Sequence, residues 1–112
     1  MIAIPLSWLE WLSRHGIWKR PDFLWIDVAD APDASDLARD MVYREVRGGY
    51  PKWVHLMCPR CKEHIQLSLA GNPHWTIRID WLRRPEIHPS IWQTGSCQAH
   101  FFVRHGKILW CD

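Results

Sequence analysis

The chain has no strong excess of charge of either sign and no long hydrophobic run. Its 112 residues include 14 Lys and Arg against 12 Asp and Glu, a formal net charge of +2, and the basic residues are scattered along the sequence. Proteins that bind nucleic acid usually gather their cations into one patch or stripe. The apolar stretches are also shorter than a membrane span requires. The composition therefore argues against a nucleic-acid partner and against a membrane.

The first eight residues lack the basic segment with which a secretory signal begins. Because the sequence shows no secretory signal, we expect a cytoplasmic protein. No internal repeat, low-complexity tract or glycine-serine linker divides the sequence. In a reducing compartment, closely spaced cysteines are more often metal ligands than disulfides, although disulfides are the alternative.

The cysteines follow a spaced pattern. Cys58 and Cys61 are separated by two residues, and Cys97 and His100 repeat that spacing. A tight turn brings side chains at i and i+3 onto one metal, and a histidine among the ligands favours zinc over iron. We predict a Zn²⁺ site formed by these four residues. Cys111 is an alternative fourth ligand in place of His100.

A short helix is predicted near the N-terminus, ahead of the strands. Ser7 and Glu10 have the spacing of a capping box, and Gly16 is a helix stop signal. A strand is predicted at residues 23–28. The acidic, proline-bearing stretch at 29–36 predicts an irregular connection.

Strands are predicted from residue 41 onward. Apolar and polar residues alternate at 65–69 and again at 75–81, which is the period of half-buried strands. His105 and Gly106 lie between two further apolar runs and predict a tight hairpin turn, with glycine taking the positive φ that such turns need.

These patterns predict a mainly β fold: a small antiparallel zinc-bound β domain, with zinc-ribbon-like hairpins and a short N-terminal helix. We expect residues 41–112 to form the zinc-binding β domain. Residues 1–40 would add a tryptophan-rich helix and strand that pack on its core. Because a chain of this size buries only a modest core, a structural metal would contribute usefully to its stability.

Tryptophan is abundant, with nine residues against three Phe and two Tyr. We expect the four in or beside the patterned strands to fill the core: Trp75, Trp81, Trp92 and Trp110. Trp8 and Trp11 share the predicted helix with two leucines, and core packing is the favoured interpretation for them as well. The alternative is a surface for a partner or for a second copy of the chain, because tryptophan is enriched at interface hot spots.

Several short motifs stand close together in the second half of the chain. They are Cys-Pro-x-Cys-x-Glu at 58–63, Trp75, His-Pro-Ser-Ile at 88–91, Cys-x-x-His-Phe-Phe at 97–102 and Gly-x-Ile-x-Trp at 106–110. This set resembles a small bacterial and phage family classed as a domain of unknown function. Members of that family are encoded in phage genomes and in bacterial operons for ubiquitin-like proteins.

The resemblance implies a zinc-bearing accessory of a bacterial ubiquitin-like conjugation pathway. Its role would be peptidase processing or deconjugation of the ubiquitin-like protein. The implied partners are that protein and its E1-like and E2-like enzymes. Residues 1–40 lie outside the resemblance, which implies no role for them.

Two catalytic arrangements are compatible with these residues. In the first, zinc has three protein ligands and a water in the fourth position, and Glu63 moves protons. In the second, Ser90 is the nucleophile and a metal-free His100 is its base, while Cys111 completes an all-cysteine zinc site. The alternative to both is a non-catalytic, zinc-stabilised interaction module, because thiolate-rich zinc sites are usually closed and structural.

Overall fold

The computed structural model describes residues 2–72 and 74–111. Within these residues one helix precedes eight strands, and a 3-10 turn (Ala34–Asp36) lies between the first two strands. The elements are α1 (Leu6–Arg14), β1 (Leu24–Val28), β2 (Met41–Arg47), β3 (Tyr50–Met57), β4 (His64–Ser68), β5 (Thr76–Ile79), β6 (Pro85–Trp92), β7 (His100–Arg104) and β8 (Lys107–Trp110). In this part of the chain no helix has the length and apolar character needed to span a membrane.

The strands form two four-stranded sheets, A with the order β1-β2-β3-β4 and B with the order β5-β6-β7-β8. The predicted mainly β fold with a short N-terminal helix is confirmed. One pair departs from the antiparallel expectation, because β1 and β2 run parallel. The connection at residues 29–40 allows this, since a parallel pair needs a crossover of about a dozen residues.

The main core lies between the two sheets. Alternate residues of the strands face it, as the period-two pattern predicts. Its strand residues are Val42, Val54, Leu56, Ile65, Leu67, Ile87, Ile91, Phe101 and Val103. Cys58 is also fully buried in this core, at the end of β3.

A smaller cluster joins α1 to sheet A. Leu9 packs there with Leu24 and Met41, whereas Trp8 and Trp11 remain 64% and 48% exposed. The expectation that these two tryptophans pack in the core is therefore wrong, because a helix lying on a sheet buries only one stripe of its surface. Their contact with a partner or a second copy stays a prediction. The division of the chain into residues 1–40 and 41–112 also stays a prediction, although Leu9 and Leu24 pack against Met41 across that boundary.

The tryptophans of the strand region are also more exposed than expected. Trp75 packs against the main core. Trp81, Trp92 and Trp110 are 58%, 58% and 44% exposed, so core placement is wrong for all three. Trp92 follows the buried Ile91 on β6, and alternation along a strand therefore turns it outward.

The ends of α1 differ from the prediction at one terminus. The residue before the helix is Pro5, with no capping bond from a side chain, so the capping box of Ser7 and Glu10 is not formed. Proline suits this position because its fixed φ is compatible with entry into a helix. Gly16 has a φ of 70° just beyond the helix, which confirms the predicted stop.

The β7–β8 hairpin lies where the sequence predicts it. His105 and Gly106 both have positive φ, 48° and 76°, as a two-residue type I′ turn requires. The amide of Gly106 donates to the carbonyl of Pro85, and its own carbonyl accepts from the amide of Phe23, both at 2.8 Å. A Cβ at Gly106 would lie 2.5 Å from the Phe23 oxygen. The turn therefore fastens the segment before β1 to sheet B.

Candidate active site and metal site

Ser90 lies at an irregularity of β6. Ile87 pairs with Val103 and Ile91 pairs with Phe101, so residues 88–90 stand opposite a single residue of β7. The peptide bond between His88 and Pro89, within this bulge, is cis. Because a bulge changes the direction of a side chain relative to a regular strand, Ser90 turns toward β7.

Ser90 is paired with His100, the first residue of β7. The Ser90 Oγ lies 2.8 Å from the Nε2 of His100, and both side chains are half-buried. When Nε2 accepts this bond, the hydroxyl donates its proton toward the imidazole. This is the geometry of a nucleophile and its general base.

Trp92 restrains the imidazole of His100. The two residues are partners in the β6–β7 register, and their rings stack with centroids 5.2 Å apart and planes inclined by 20°. A stacked aromatic neighbour restricts rotation of the imidazole ring, because rotation would lose the contact.

The backbone on both sides of Pro89 is fixed by β5 and the residue before it. The indole Nε1 of Trp75 donates to the carbonyl of Ser90 at 3.3 Å. The hydroxyl of Thr76 donates to the carbonyl of His88, also at 3.3 Å. These bonds position the main chain of the serine as well as its side chain.

Three cysteines meet beside this region. The sulfurs of Cys58, Cys61 and Cys97 all lie within 4.8 Å of one another, and those of Cys58 and Cys97 are 3.6 Å apart. Sulfurs bound tetrahedrally to zinc at about 2.3 Å are separated by about 3.8 Å. The three thiols therefore fit a zinc ion and could hold one.

The first two cysteines belong to a tight loop between β3 and β4. The amide of Cys58 donates to the carbonyl of Glu63 at 2.8 Å, and Lys62, directly after Cys61, has a φ of 65°. Burial raises the pKa of the Cys58 thiol. The backbone amide of Glu63, followed by the Cys97 thiol, lowers the pKa of Cys61 to about 7. A thiolate is the form that binds a metal.

The loop between β6 and β7 repeats this geometry. The amide of Gln93 donates to the carbonyl of Ala99 at 2.8 Å, and Gln98, directly after Cys97, has a φ of 64°. Cys97 thus occupies the place that Cys61 has in the first loop. By the same correspondence, His100 matches the first residue of β4, His64, rather than a cysteine.

The remaining sequence-predicted residues lie apart from the sulfur cluster. Among the described residues, neither His100 nor Cys111 joins the three sulfurs within 4.8 Å. Cys111 is exposed, and its amide donates to the carbonyl of His100 at 2.9 Å. Glu63 is exposed, and within the described ranges its carboxylate makes no hydrogen bond or ion pair. The fourth metal ligand and the role of Glu63 stay predictions.

Sequence reasoning missed a polar chain on the other face of sheet A, which is buried at its centre and exposed at both ends. Glu45 and His55 are 2% and 0% exposed. The Oε1 of Glu45 lies 2.9 Å from the Nε2 of His55, whose Nδ1 lies 2.9 Å from the Nε2 of His64. Arg47 donates to the other carboxylate oxygen of Glu45 at 2.6 Å. Only strand register brings these residues together, so no local spacing could have revealed them.

Two groups of this polar chain have shifted pKa values, for different reasons. Burial would raise the pKa of Glu45, but the hydrogen bonds from His55 and Arg47 outweigh it and hold the pKa below its usual 4.5. Burial, together with the nearby His55, lowers the pKa of His64 below 6.5. Glu45 is therefore ionised and His64 neutral near pH 7.

A serine hydroxyl hydrogen-bonded to an imidazole, here on the outer face of a small two-sheet β domain, is the nucleophile and base pair of those serine hydrolases that use a histidine base. The family model of BubE, the serine protease of a bacterial ubiquitination-like system, matches residues 28–111, and the chain belongs to this family. Comparisons with curated proteins and with solved structures gave no match.

Family membership confirms the association with bacterial ubiquitin-like systems that the sequence motifs implied. The chain is a component of such a system, in a family described as serine proteases, and it works with proteins of that pathway. The matched range includes Ser90, His100 and all four cysteines, whereas α1 precedes it.

Proposed function

We propose that the protein is a serine protease that cleaves a peptide or isopeptide bond after the C-terminal tail of a ubiquitin-like protein. Ser90 is the nucleophile and His100 the general base. The 2.8 Å contact between Ser90 Oγ and His100 Nε2 carries this proposal. The description of the family as serine proteases supports it.

The reaction follows from this pair. Ser90 Oγ attacks the scissile carbonyl carbon while its proton passes to Nε2 of His100. Collapse of the tetrahedral intermediate breaks the C–N bond, and the imidazolium gives that proton to the leaving amine. His100 then takes a proton from water, whose oxygen attacks the acyl ester. The carboxylate product leaves, and the proton returns to Ser90.

The three cysteines would hold a zinc ion with a structural role. Zinc would cross-link the β3–β4 loop to the β6–β7 loop, which joins the strand of Ser90 to the strand of His100. Because Nε2 of His100 already contacts Ser90, Cys111 is the better candidate for the fourth ligand. The arrangement with a zinc-bound water has less support than the Ser90–His100 pair, because its proposed proton carrier, Glu63, is exposed and no hydrogen bond or ion pair from the described residues holds its carboxylate in place.

The test is a cleavage assay on the ubiquitin-like precursor encoded in the same operon. Wild-type protein should release the C-terminal extension, and Ser90→Ala and His100→Gln should each lower the rate by about 10³-fold or more. Circular dichroism and zinc content should stay unchanged in both variants. Ser35→Ala, in the exposed 3-10 turn, is the matched control.

A fluorophosphonate probe gives a second readout, because an activated serine attacks its phosphorus, displaces fluoride and becomes phosphonylated. It should label wild-type protein at Ser90 and leave His100→Gln unlabelled. Protein that binds the precursor but neither cleaves it nor reacts with the probe would instead be the zinc-stabilised interaction module.

A further inference from the structure

The outer face of sheet B carries a groove of about 520 Å³ along the same strands as the Ser90–His100 pair. Its walls come from three adjacent strands and from the turn after β7. The polar residues that line it are Thr76, Arg78, Glu86, His88, Arg104 and His105. It is therefore a charged groove rather than an apolar one.

Strand β7 connects the groove to the catalytic pair. Phe101 and Val103 are buried in the core, so alternation turns His100, Phe102 and Arg104 to the outer face in one row. The guanidinium of Arg104 packs over the Phe102 ring, 4.8 Å from its centroid. Since Phe102 lies between the other two, this packing directs the cation toward His100.

Strand β6 also connects the groove to the Ser90–His100 pair. His88 lines the groove, and Ser90, two residues further along, carries the reactive hydroxyl. Two residues of a regular strand span about 6.6 Å, and the bulge at residues 88–90 keeps His88 and Ser90 no further apart than that. The groove thus begins within about 6.6 Å of the serine backbone.

The charges of the groove are unbalanced. Glu86 is its carboxylate, and a histidine, His105, is the group that approaches it, with Nε2 to Oε1 at 3.7 Å. Arg78 faces Glu86 in the β5–β6 register. Even so, among the described residues neither Arg78 nor Arg104 has a carboxylate oxygen within 4 Å, unlike Arg44, which pairs with Asp27 at 2.6 Å.

We propose that Arg78 and Arg104 form a subsite for an acidic side chain of the substrate. The bound aspartate or glutamate would stand about two residues from the scissile bond, because the Arg104 guanidinium packs over Phe102, which is two residues along β7 from His100. A guanidinium donates to a carboxylate through two parallel N–H groups, which gives both affinity and orientation. This inference rests on the proposed protease function of Ser90 and His100.

The experiment compares precursors that carry Asp, Asn or Lys at each of three positions on either side of the cleaved bond. At one position kcat/KM should be about 10-fold higher for Asp than for Asn, and lower again for Lys. The preference should weaken in high salt, because exposed charges are screened.

Variants of the two arginines test the assignment. Arg78→Gln combined with Arg104→Gln should bring the ratio of kcat/KM for the Asp precursor to that for the Asn precursor close to one. Arg39→Gln, the same change at an exposed arginine before β2, should retain the preference. Arg104→Glu should favour the Lys precursor, a reversal that a damaged fold cannot produce.

Two failures are distinguishable with the fluorophosphonate probe. Protein that is labelled at Ser90 and cleaves all three precursors equally overturns the acidic subsite and leaves the protease intact. Protein that is neither labelled nor active on any precursor overturns the protease function, and the subsite with it.

Discussion

The indole of Trp92 stacks on the imidazole of His100, so its loss should disturb proton transfer rather than substrate binding. We expect Trp92→Ala to lower kcat by about 10-fold with little change in KM, and Trp92→Phe to restore most of the rate. The measurement is kcat and KM for wild-type protein and for both variants. Trp81→Ala is the control, because Trp81 has the same 58% exposure. A rise in KM at constant kcat would contradict this role.

Replacing any one of the three clustered cysteines should remove the metal. We expect Cys58→Ser, Cys61→Ser and Cys97→Ser to lose zinc and soluble protein together, because metal binding and folding are coupled in small metal-stabilised domains. Elemental analysis of freshly purified protein, with one zinc per wild-type chain expected, is the check. Wild-type protein without zinc, or with Cys58 in a disulfide, would overturn the metal site.

The fourth ligand is decided by a comparison of two variants. We expect His100→Gln to retain one zinc per chain and Cys111→Ser to lose zinc to a chelator sooner than wild type, since three thiolates bind less tightly than four. The rate of zinc transfer to a colorimetric chelator measures this difference. The reverse order of rates would make His100 a ligand and would remove it as the base for Ser90.

At the residue scale, the short motifs identified more of the candidate site residues than the periodicity of apolar residues did. The short spacings selected Cys58, Cys61 and Cys97, which the structure brings together. The resemblance motifs indicated Ser90 and His100, which the structure pairs. The spacing argument for His100 as a ligand compared it with Cys61. The backbone of the two loops instead aligns Cys97 with Cys61, because a residue of positive φ follows each of them.

Among the elements, the β7–β8 turn depends on Gly106. We expect Gly106→Ala to lower the free energy of unfolding by roughly 1–3 kcal/mol, because alanine is strained at this φ and its Cβ would contact the Phe23 oxygen. Urea unfolding measures the change. Gly95→Ala is the matched control, since nothing lies within 4 Å of a Cβ there and its φ is not positive. Equal midpoints for the two variants would exclude this account of the turn.

The polar chain across β2, β3 and β4 should make stability fall as the pH falls. His64 has a lowered pKa, so its contribution is present above pH 6.5 and declines below it. Glu45 also has a lowered pKa, and its contribution is lost below about 4.5. Urea unfolding midpoints measured between pH 7.5 and 4 test this. Below pH 6.5 the midpoint of His64→Gln should fall less steeply with pH than that of wild type. A variant curve parallel to wild type would refute the assignment.

Elements with strict alternation were predictable, and those that break the rules of strands were not. Residues 65–69 and the hairpin around Gly106 matched their patterns because one face of each is buried. Strand β6 contains Pro85 and Pro89, which interrupt both the pattern and the ladder bonds. The serine therefore stands on the strand that local sequence describes least well, and the resemblance motif rather than periodicity indicated it.

For the whole molecule, sequence predicted the class but not the arrangement of the sheets. The parallel pairing of β1 with β2 and the outward tryptophans depend on how α1 and the two sheets pack. The groove beside Ser90 likewise joins Arg78 to Arg104, which are distant along the chain. Such contacts follow from long-range register, to which local composition gives no access.

The attachment of the segment before β1 to the β7–β8 turn has a consequence for synthesis. Sheet A is made of residues 24–68 and sheet B of residues 76–110, so each sheet joins strands that are consecutive in the chain. Two bonds span nearly the full length: Phe23 to Gly106, and the amide of Ile108 to the carboxylate of Asp22, each at 2.8 Å. A nascent chain can pair the strands of sheet A early. The bonds of residues 22 and 23 to the β7–β8 hairpin can form only after that hairpin has left the ribosome.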